Sequence, residues 1–202
     1  MNPSPSRRRL LITSLGLAGS WGAMGSVRAA GDPAATLQGA GGLAVLIRHA
    51  RTEPGVGDPP GYDLAVCSSQ RQLSAEGRAQ SQRIGAWFAE RRLLPTAVRS
   101  SRWCRCVDTG ALAFRSPAVQ LWEPLNSTFA ERAGEAPRQT AEARRALAAL
   151  RGRPGFEVWV THMVNIQAIA GVTVAMGEAL IVRAPAEAGG AVQVLAQWRP
   201  GG

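Results

Sequence analysis

The chain contains no lysine; all 23 of its basic residues are arginine. It has two histidines and three cysteines in 202 residues. His49 and His162 have no partner at zinc-ligand spacing, and Cys104-x-Cys106 alone is a weak metal signal, so neither a metal site nor a cofactor is expected. A long apolar run is also missing. Residues 10–25 form a modestly apolar stretch of about 16 residues, short for a bilayer and diluted by Gly16, Gly19 and Gly22. The 23 glycines and 13 prolines follow no period, which excludes collagen. With 46% hydrophobic and 18% charged residues, the chain has the means to bury a core and is no disordered tail.

The formal net charge of +9 and pI near 11.3 at first suggest a nucleic-acid binder. The N-terminus weakens that reading. Ser6-Arg7-Arg8-Arg9-Leu10-Leu11, the short apolar run and Val27-Arg28-Ala29 together have the layout of a secretory signal peptide over residues 1–29. The Ser-Arg-Arg-x-Leu-Leu start resembles the twin-arginine signal, so a periplasmic or secreted location is expected. Cleavage after Ala29 removes four arginines and no acid, leaving nineteen arginines against fourteen acids, a net +5. That balance, without basic runs interleaved with aromatics, excludes a dedicated nucleic-acid protein and leaves room for an anionic small substrate. No stable membrane insertion is expected after cleavage. In an oxidising compartment Cys67 is expected to pair with Cys104 or Cys106, leaving one thiol.

Residues 30–42 are rich in glycine and alanine and read as a flexible lead-in to one domain over 43–202. Residues 43–47 (LAVLI) form a continuous apolar run, expected as a buried strand. Further strands are expected at 96–100, 119–121, 157–161, 179–183 and 191–198, with helices at 74–92, 102–114, 137–151 and 166–171. Alternation of the two predicts a three-layer α/β/α sandwich around a mostly parallel sheet. Residues 53–63 and 123–136 are turn-rich or irregular loops.

Three strands end in polar residues of one character: Arg48-His49-Ala50-Arg51-Thr52, Ser100-Ser101 with Arg105 one turn on, and Thr161-His162. Ligands of open α/β sheets bind beyond the carboxyl ends of strands. Two imidazoles and two or three guanidiniums are therefore expected to converge, with no carboxylate equally well placed to neutralise them. Such a surplus fits a dianion, and phosphate suits arginine's planar fork. The helix start near Arg102 is expected to add N–H donors. An imidazole is a competent nucleophile at neutral pH, so His49 attacking phosphorus is the chemistry expected, with Arg48, Arg105 and His162 holding the transferring oxygens. Asp108, three residues on, is a rival partner for Arg105. Arg71 borders the loop expected to cap the pocket, but is grouped with Arg78 and Arg83 as mostly solvated face.

The segment Leu46-Ile47-Arg48-His49-Ala50-Arg51-Thr52 resembles the Arg-His-Gly-x-Thr motif of the histidine phosphatase (phosphoglycerate mutase-like) superfamily. Residues 73–80 (LSAEGRAQ), 100–110 (SSRWCRCVDTG) and Val160-Thr161-His162 resemble its three further motifs in order. The loop GDPPGY and the run SSRWCRC are similar to a small exported bacterial branch, akin to the phosphatase of lipopolysaccharide core heptose phosphate. The resemblance implies His49 as nucleophile; Arg48, Arg105 and His162 as the phosphate pocket; a hydrogen bond from Thr52; and Arg51 as an extra contact. It implies a metal-independent phosphomonoesterase passing through phosphohistidine on a small phosphorylated substrate, sugars included. A phosphotransferase or mutase, or a non-catalytic phosphate-binding module, are the alternatives. Ala50 departs from the motif's glycine and demands a negative φ. Met163 follows His162 where glycine is common, and Arg102 replaces a proline. The general acid is expected at Glu131, with Glu123, Glu53 and Asp58 as rivals.

Overall fold

The computed structural model describes Met1 and residues 31–55, 57–187 and 189–202. The expected signal peptide over residues 1–29 lies outside them apart from Met1.

Six strands form one sheet in the order β3-β2-β4-β1-β5-β6. In chain order they are β1 (Leu43–Arg48), β2 (Ala97–Ser100), β3 (Val119–Leu121), β4 (Phe156–Thr161), β5 (Ala179–Arg183) and β6 (Gln193–Trp198). β1, β2, β3 and β4 pair in parallel. β5 runs antiparallel to both β1 and β6, which makes the sheet mixed at one side. The two late strands thus pair with each other, as a hairpin-like edge.

β1 and β4 are central and buried on both faces, which is why 43–47 and 158–160 read as apolar runs instead of alternating ones, while the buried Glu157 of β4 is ion-paired with Arg99. Leu43, Val45 and Ile47 pack on one side with Ile84 and Phe88 of α2 (Ala75–Glu90) and Cys106 of α3 (Cys104–Ala113). Ala44 and Leu46 pack on the other with Leu147 of α4 (Ala136–Ala149) and Ile166 of α5 (Met163–Ala170). Helices therefore cover both faces, giving the expected three-layer sandwich.

The 30–42 segment departs from the flexible lead-in expected of it. Residues Pro33–Gly39 form a helix, α1, because Asp32 caps it through Ala34 N and proline occupies its first turn, where a missing N–H costs nothing. Leu37, 3% exposed, anchors the helix in the core. Glycine and alanine composition missed this one apolar anchor and its cap. α5 also starts three residues before the expected 166, directly after His162.

α2 begins where Ser74 Oγ accepts from Gly77 N at 3.1 Å. Gly77 is demanded by packing: a Cβ there would overlap the carbonyl oxygen of Arg51. The helix start is thus pressed onto the segment that follows β1.

Candidate active site

The parallel register of β1 against β4 decides the site. Arg48 lies opposite Thr161, and His49 N donates to Thr161 O at 2.9 Å. The next residue on each strand is a histidine, so the two rings meet edge to face with centroids 5.4 Å apart. β2 joins from the other side of β4, and Ser101 N donates to Val160 O. Ser101 Oγ then lies 2.9 Å from His162 Nε2.

His49 is buried, and its Nδ1 lies 2.9 Å from Ala50 O. A carbonyl only accepts, so Nδ1 carries the proton and Nε2 keeps a lone pair. Burial first, then the charge of Arg105, pushes the His49 pKa down to about 3. His162 is lowered well below its ordinary value by burial and by His49 itself. Both rings are therefore neutral near neutral pH. When Ser101 donates to His162 Nε2, that ring's proton sits on Nδ1 and is available as a donor.

Three guanidiniums line the same pocket, which has a volume of about 510 Å³: Arg48, Arg71 and Arg105. Arg48 donates from Nη1 to Val174 O at 2.9 Å. Arg71 donates to Gly55 O. The Nε atoms of all three are buried without a hydrogen-bond partner. Three guanidiniums around one cavity mark a place for an anion, which their planar forks suit.

Arg105 does not pair with Asp108, which instead meets Arg78 at 3.6 Å. Its partner is Asp58, which accepts from Nη1 at 2.7 Å and Nη2 at 3.2 Å. Asp58 also accepts from Trp103 Nε1 at 3.0 Å and Arg71 N at 3.0 Å. The expected absence of a neutralising carboxylate is thus corrected: the loop after β1 brings one in. Three guanidiniums less one carboxylate leave two positive charges between neutral imidazoles, the charge a phosphoryl dianion matches. Desolvation alone would raise the Asp58 pKa, but its bonds to Arg105, Arg71 and Trp103 outweigh it and hold the carboxyl below its usual value. It is therefore a counter-ion in the free protein, not a proton donor.

The helix N-terminus does not serve as expected. At the start of α3, Arg102 N donates to Asn126 Oδ1, Trp103 N to Ser101 Oγ and Cys104 N to Gln70 Oε1. These N–H groups are used by loop side chains that cap the helix, so the guanidiniums carry the anion-binding capacity. Arg51 and Thr52 also stand apart. They line a neighbouring groove with Ser74, Gln80 and Arg83. The antiparallel bridge of Thr52 with Leu73, and the bond from Arg51 N to Gln80 Oε1, turn this segment toward α2. Ala50 keeps a negative φ, since Arg92 and Ala130 are the non-glycine residues with positive φ among those described; its N–H donates to Thr109 Oγ1 at 3.0 Å.

Among the acid candidates, Glu123 is exposed and paired with Arg138 at 2.6 Å, away from the pocket. Glu53 is exposed and does not line the pocket either. Glu131 follows Ala130, a pocket residue, in the 3-10 turn Ala130–Glu135, and its side chain lies outside the described residues. The loops 53–63 and 123–136 do frame the mouth, through Asp58 and Tyr62 from one and Ser127 and Phe129 from the other. The residues that sequence reasoning undervalued are Arg71 and Asp58. Arg71 was grouped with solvated arginines; the signal that set it apart was its place bordering the loop expected to cap the pocket.

The disulfide is Cys67–Cys104, which ties the loop bearing Asp58 and Arg71 to the start of the helix bearing Arg105. Cys106 is the remaining thiol, buried 3.4 Å from His162 Nε2, and burial pushes its pKa up to about 12. It packs and does not react.

Comparison with solved structures gives the fold a class. The product of an open reading frame of Mycobacterium tuberculosis matches with a TM-score of 0.58 and 16% identity, over 79% of this chain and 98% of that one. The protein histidine phosphatase SixA in complex with tungstate matches with a TM-score of 0.55 and 14% identity, over 78% and 97%. A mycobacterial glucosyl-3-phosphoglycerate phosphatase with inorganic phosphate matches with a TM-score of 0.53 and 14% identity, over 75% and 94%. No protein-family model and no curated sequence matches the chain. At these identities the likeness is one of fold: the chain shares the fold of these structures, a protein histidine phosphatase and a sugar-phosphoglycerate phosphatase among them.

Proposed function

We propose that this chain is an exported phosphomonoesterase that works without a metal through a phosphohistidine intermediate. The observation that carries the reading is the buried, neutral His49 with a free Nε2 beside three guanidiniums whose Nε atoms lack partners. In the first step His49 Nε2 attacks phosphorus, the P–O ester bond breaks, and the leaving oxygen takes its proton from solvent water. In the second, water attacks the phosphohistidine, the P–N bond breaks and phosphate departs. Arg48, Arg71, Arg105 and His162 hold the equatorial oxygens through both steps, where the charge is spread. The guanidiniums supply the positive charge that other phosphatases take from metal ions.

Two fold neighbours were solved with tetrahedral oxyanions, tungstate and phosphate, which supports phosphate as the group held here. The Cys67–Cys104 disulfide is of a kind that persists in oxidising compartments, and together with the residue 1–29 pattern it supports export. The test is hydrolysis of a chromogenic phosphomonoester in EDTA by the mature protein and by His49→Ala. Turnover by the first only is expected, with acid-labile, alkali-stable phosphate trapped on His49. Equal turnover by both overturns the mechanism.

A further inference from the structure

The cationic floor explains how the phosphoryl group is held, yet it fills little of the pocket. Three oxygens of about 30 Å³ each, the size of water, take up under about a fifth of the 510 Å³ cavity. The rest belongs to the alcohol. Its walls are Phe129, Met163, Val164 and Met176, with the hydroxyls of Tyr62 and Ser127 as its neutral hydroxyl groups. Ser127 Oγ already accepts from Phe129 N at 3.3 Å. Among the described side chains no amide lines the pocket, and the one carboxylate that does, Asp58, is occupied by four donors. The indole N–H of Trp103 is likewise taken by Asp58.

Binding a polyol here would strip water from several hydroxyls and return few hydrogen bonds, which is unfavourable. An apolar group would lose nothing and cover side chains now facing water. Phe129 is the clearest of these: it is 48% exposed, a large aromatic at the mouth of a polar site. The left-handed Ala130, φ 53°, turns the chain directly after it. Met163 and Met176 add flexible thioether walls that adapt to rings and branched chains. Met163 occupies the position where glycine would have left the wall open.

We infer that the substrate is the phosphate monoester of an aromatic or other apolar alcohol, with Phe129 and Met163 as its specificity-determining contacts, and not a sugar phosphate. This rests on the phosphatase reading above. The experiment compares 2-phenylethyl phosphate with glucose 6-phosphate, two primary-alcohol esters with similar leaving alkoxides, using the mature protein and Phe129→Ala. In parallel, calorimetry measures 3-phenylpropylphosphonate against methylphosphonate, which bind without turnover. The expected result is a kcat/KM at least tenfold higher for the aryl ester, expressed mainly in KM. Phe129→Ala should narrow the gap about tenfold, through a higher KM for the aryl ester, a range ordinary for apolar-pocket discrimination. The phosphonates should show the same preference in Kd. Equal or sugar-favouring kcat/KM overturns the inference and leaves the phosphatase reading standing. No turnover of either ester overturns the phosphatase reading, and the phosphonate ratio then decides the inference alone: a tenfold aryl preference supports it, and equal affinities overturn it.

Discussion

Asp58 grips the two-pronged end of the Arg105 guanidinium, and both side chains are nearly sealed from solvent, at 7% and 4% exposure. Arginine has five N–H donors, so this leaves its Nε edge free, and that Nε is the buried atom without a partner. The carboxylate is therefore an orienter: it fixes the Arg105 guanidinium at the pocket wall. Asp58→Ala should release the guanidinium and lower kcat/KM by about 10- to 100-fold, roughly 1.4–2.8 kcal/mol of transition-state stabilisation. Asp58→Asn keeps an acceptor but raises the pocket charge to three. It should bind inorganic phosphate more tightly than the wild type while turning over more slowly. Weaker phosphate binding by Asp58→Asn would argue against a charge-setting role.

His49 should remain neutral in acid. In a ¹⁵N spectrum its Nε2 is expected unprotonated at pH 5, with the proton on Nδ1, because burial and Arg105 drive the pKa to about 3. A ring titrating near 6.5 would contradict the site as described.

Stability should follow the same groups. Both folded histidine pKa values lie below the unfolded value of about 6.5. Between that pH and about 3, the unfolded chain binds protons that the folded chain refuses, so stability is fullest above 6.5 and declines as pH falls. Asp58, held below its ordinary value, adds loss in the same direction at lower pH. Thermal melts from pH 7 to pH 4 should show a falling Tm, and His49→Asn should flatten the slope.

Reduction of Cys67–Cys104 should cost both stability and catalysis. The bond closes a loop of 37 residues, for which the chain-entropy estimate is about 3–4 kcal/mol. Because that loop carries Asp58 and Arg71, dithiothreitol should lower kcat/KM as well as Tm. A Cys67→Ser, Cys104→Ser variant with unchanged kcat/KM would separate the bridge from the pocket.

Gly77→Ala should destabilise by about 1–3 kcal/mol, since its methyl would overlap the Arg51 carbonyl and force α2 outward. At about 2–4 °C per kcal/mol, a melting curve resolves this readily.

Much of the fold was written locally. The run 43–47 is apolar on every residue because β1 is covered on both faces, and the caps Ser74 and Asp32 sit where their helices start. Arg48, His49, Arg105 and His162 were legible because each follows a strand end or opens a helix, positions that topology sends to one edge of the sheet. Other features were not. Arg71 and Asp58 lie in a turn-rich loop without periodicity, and Arg51 and Thr52 adjoin the nucleophile in sequence yet face another groove. The N–H groups of Arg102 and Cys104 at the start of α3 looked free in sequence and are taken by Asn126 and Gln70 from distant loops.

By itself, then, the order of residues set the strands, the helices and the identity of the two histidines, because hydrophobic period and capping act over a few residues. Folding alone decided which charges meet. The parallel register of β1 on β4 sets the ring separation, and the loop pinned by Cys67–Cys104 delivers Asp58 to Arg105 across 47 residues of chain. Coulomb and hydrogen-bond energies depend on distances in space, and those distances exist only once the chain has closed on itself.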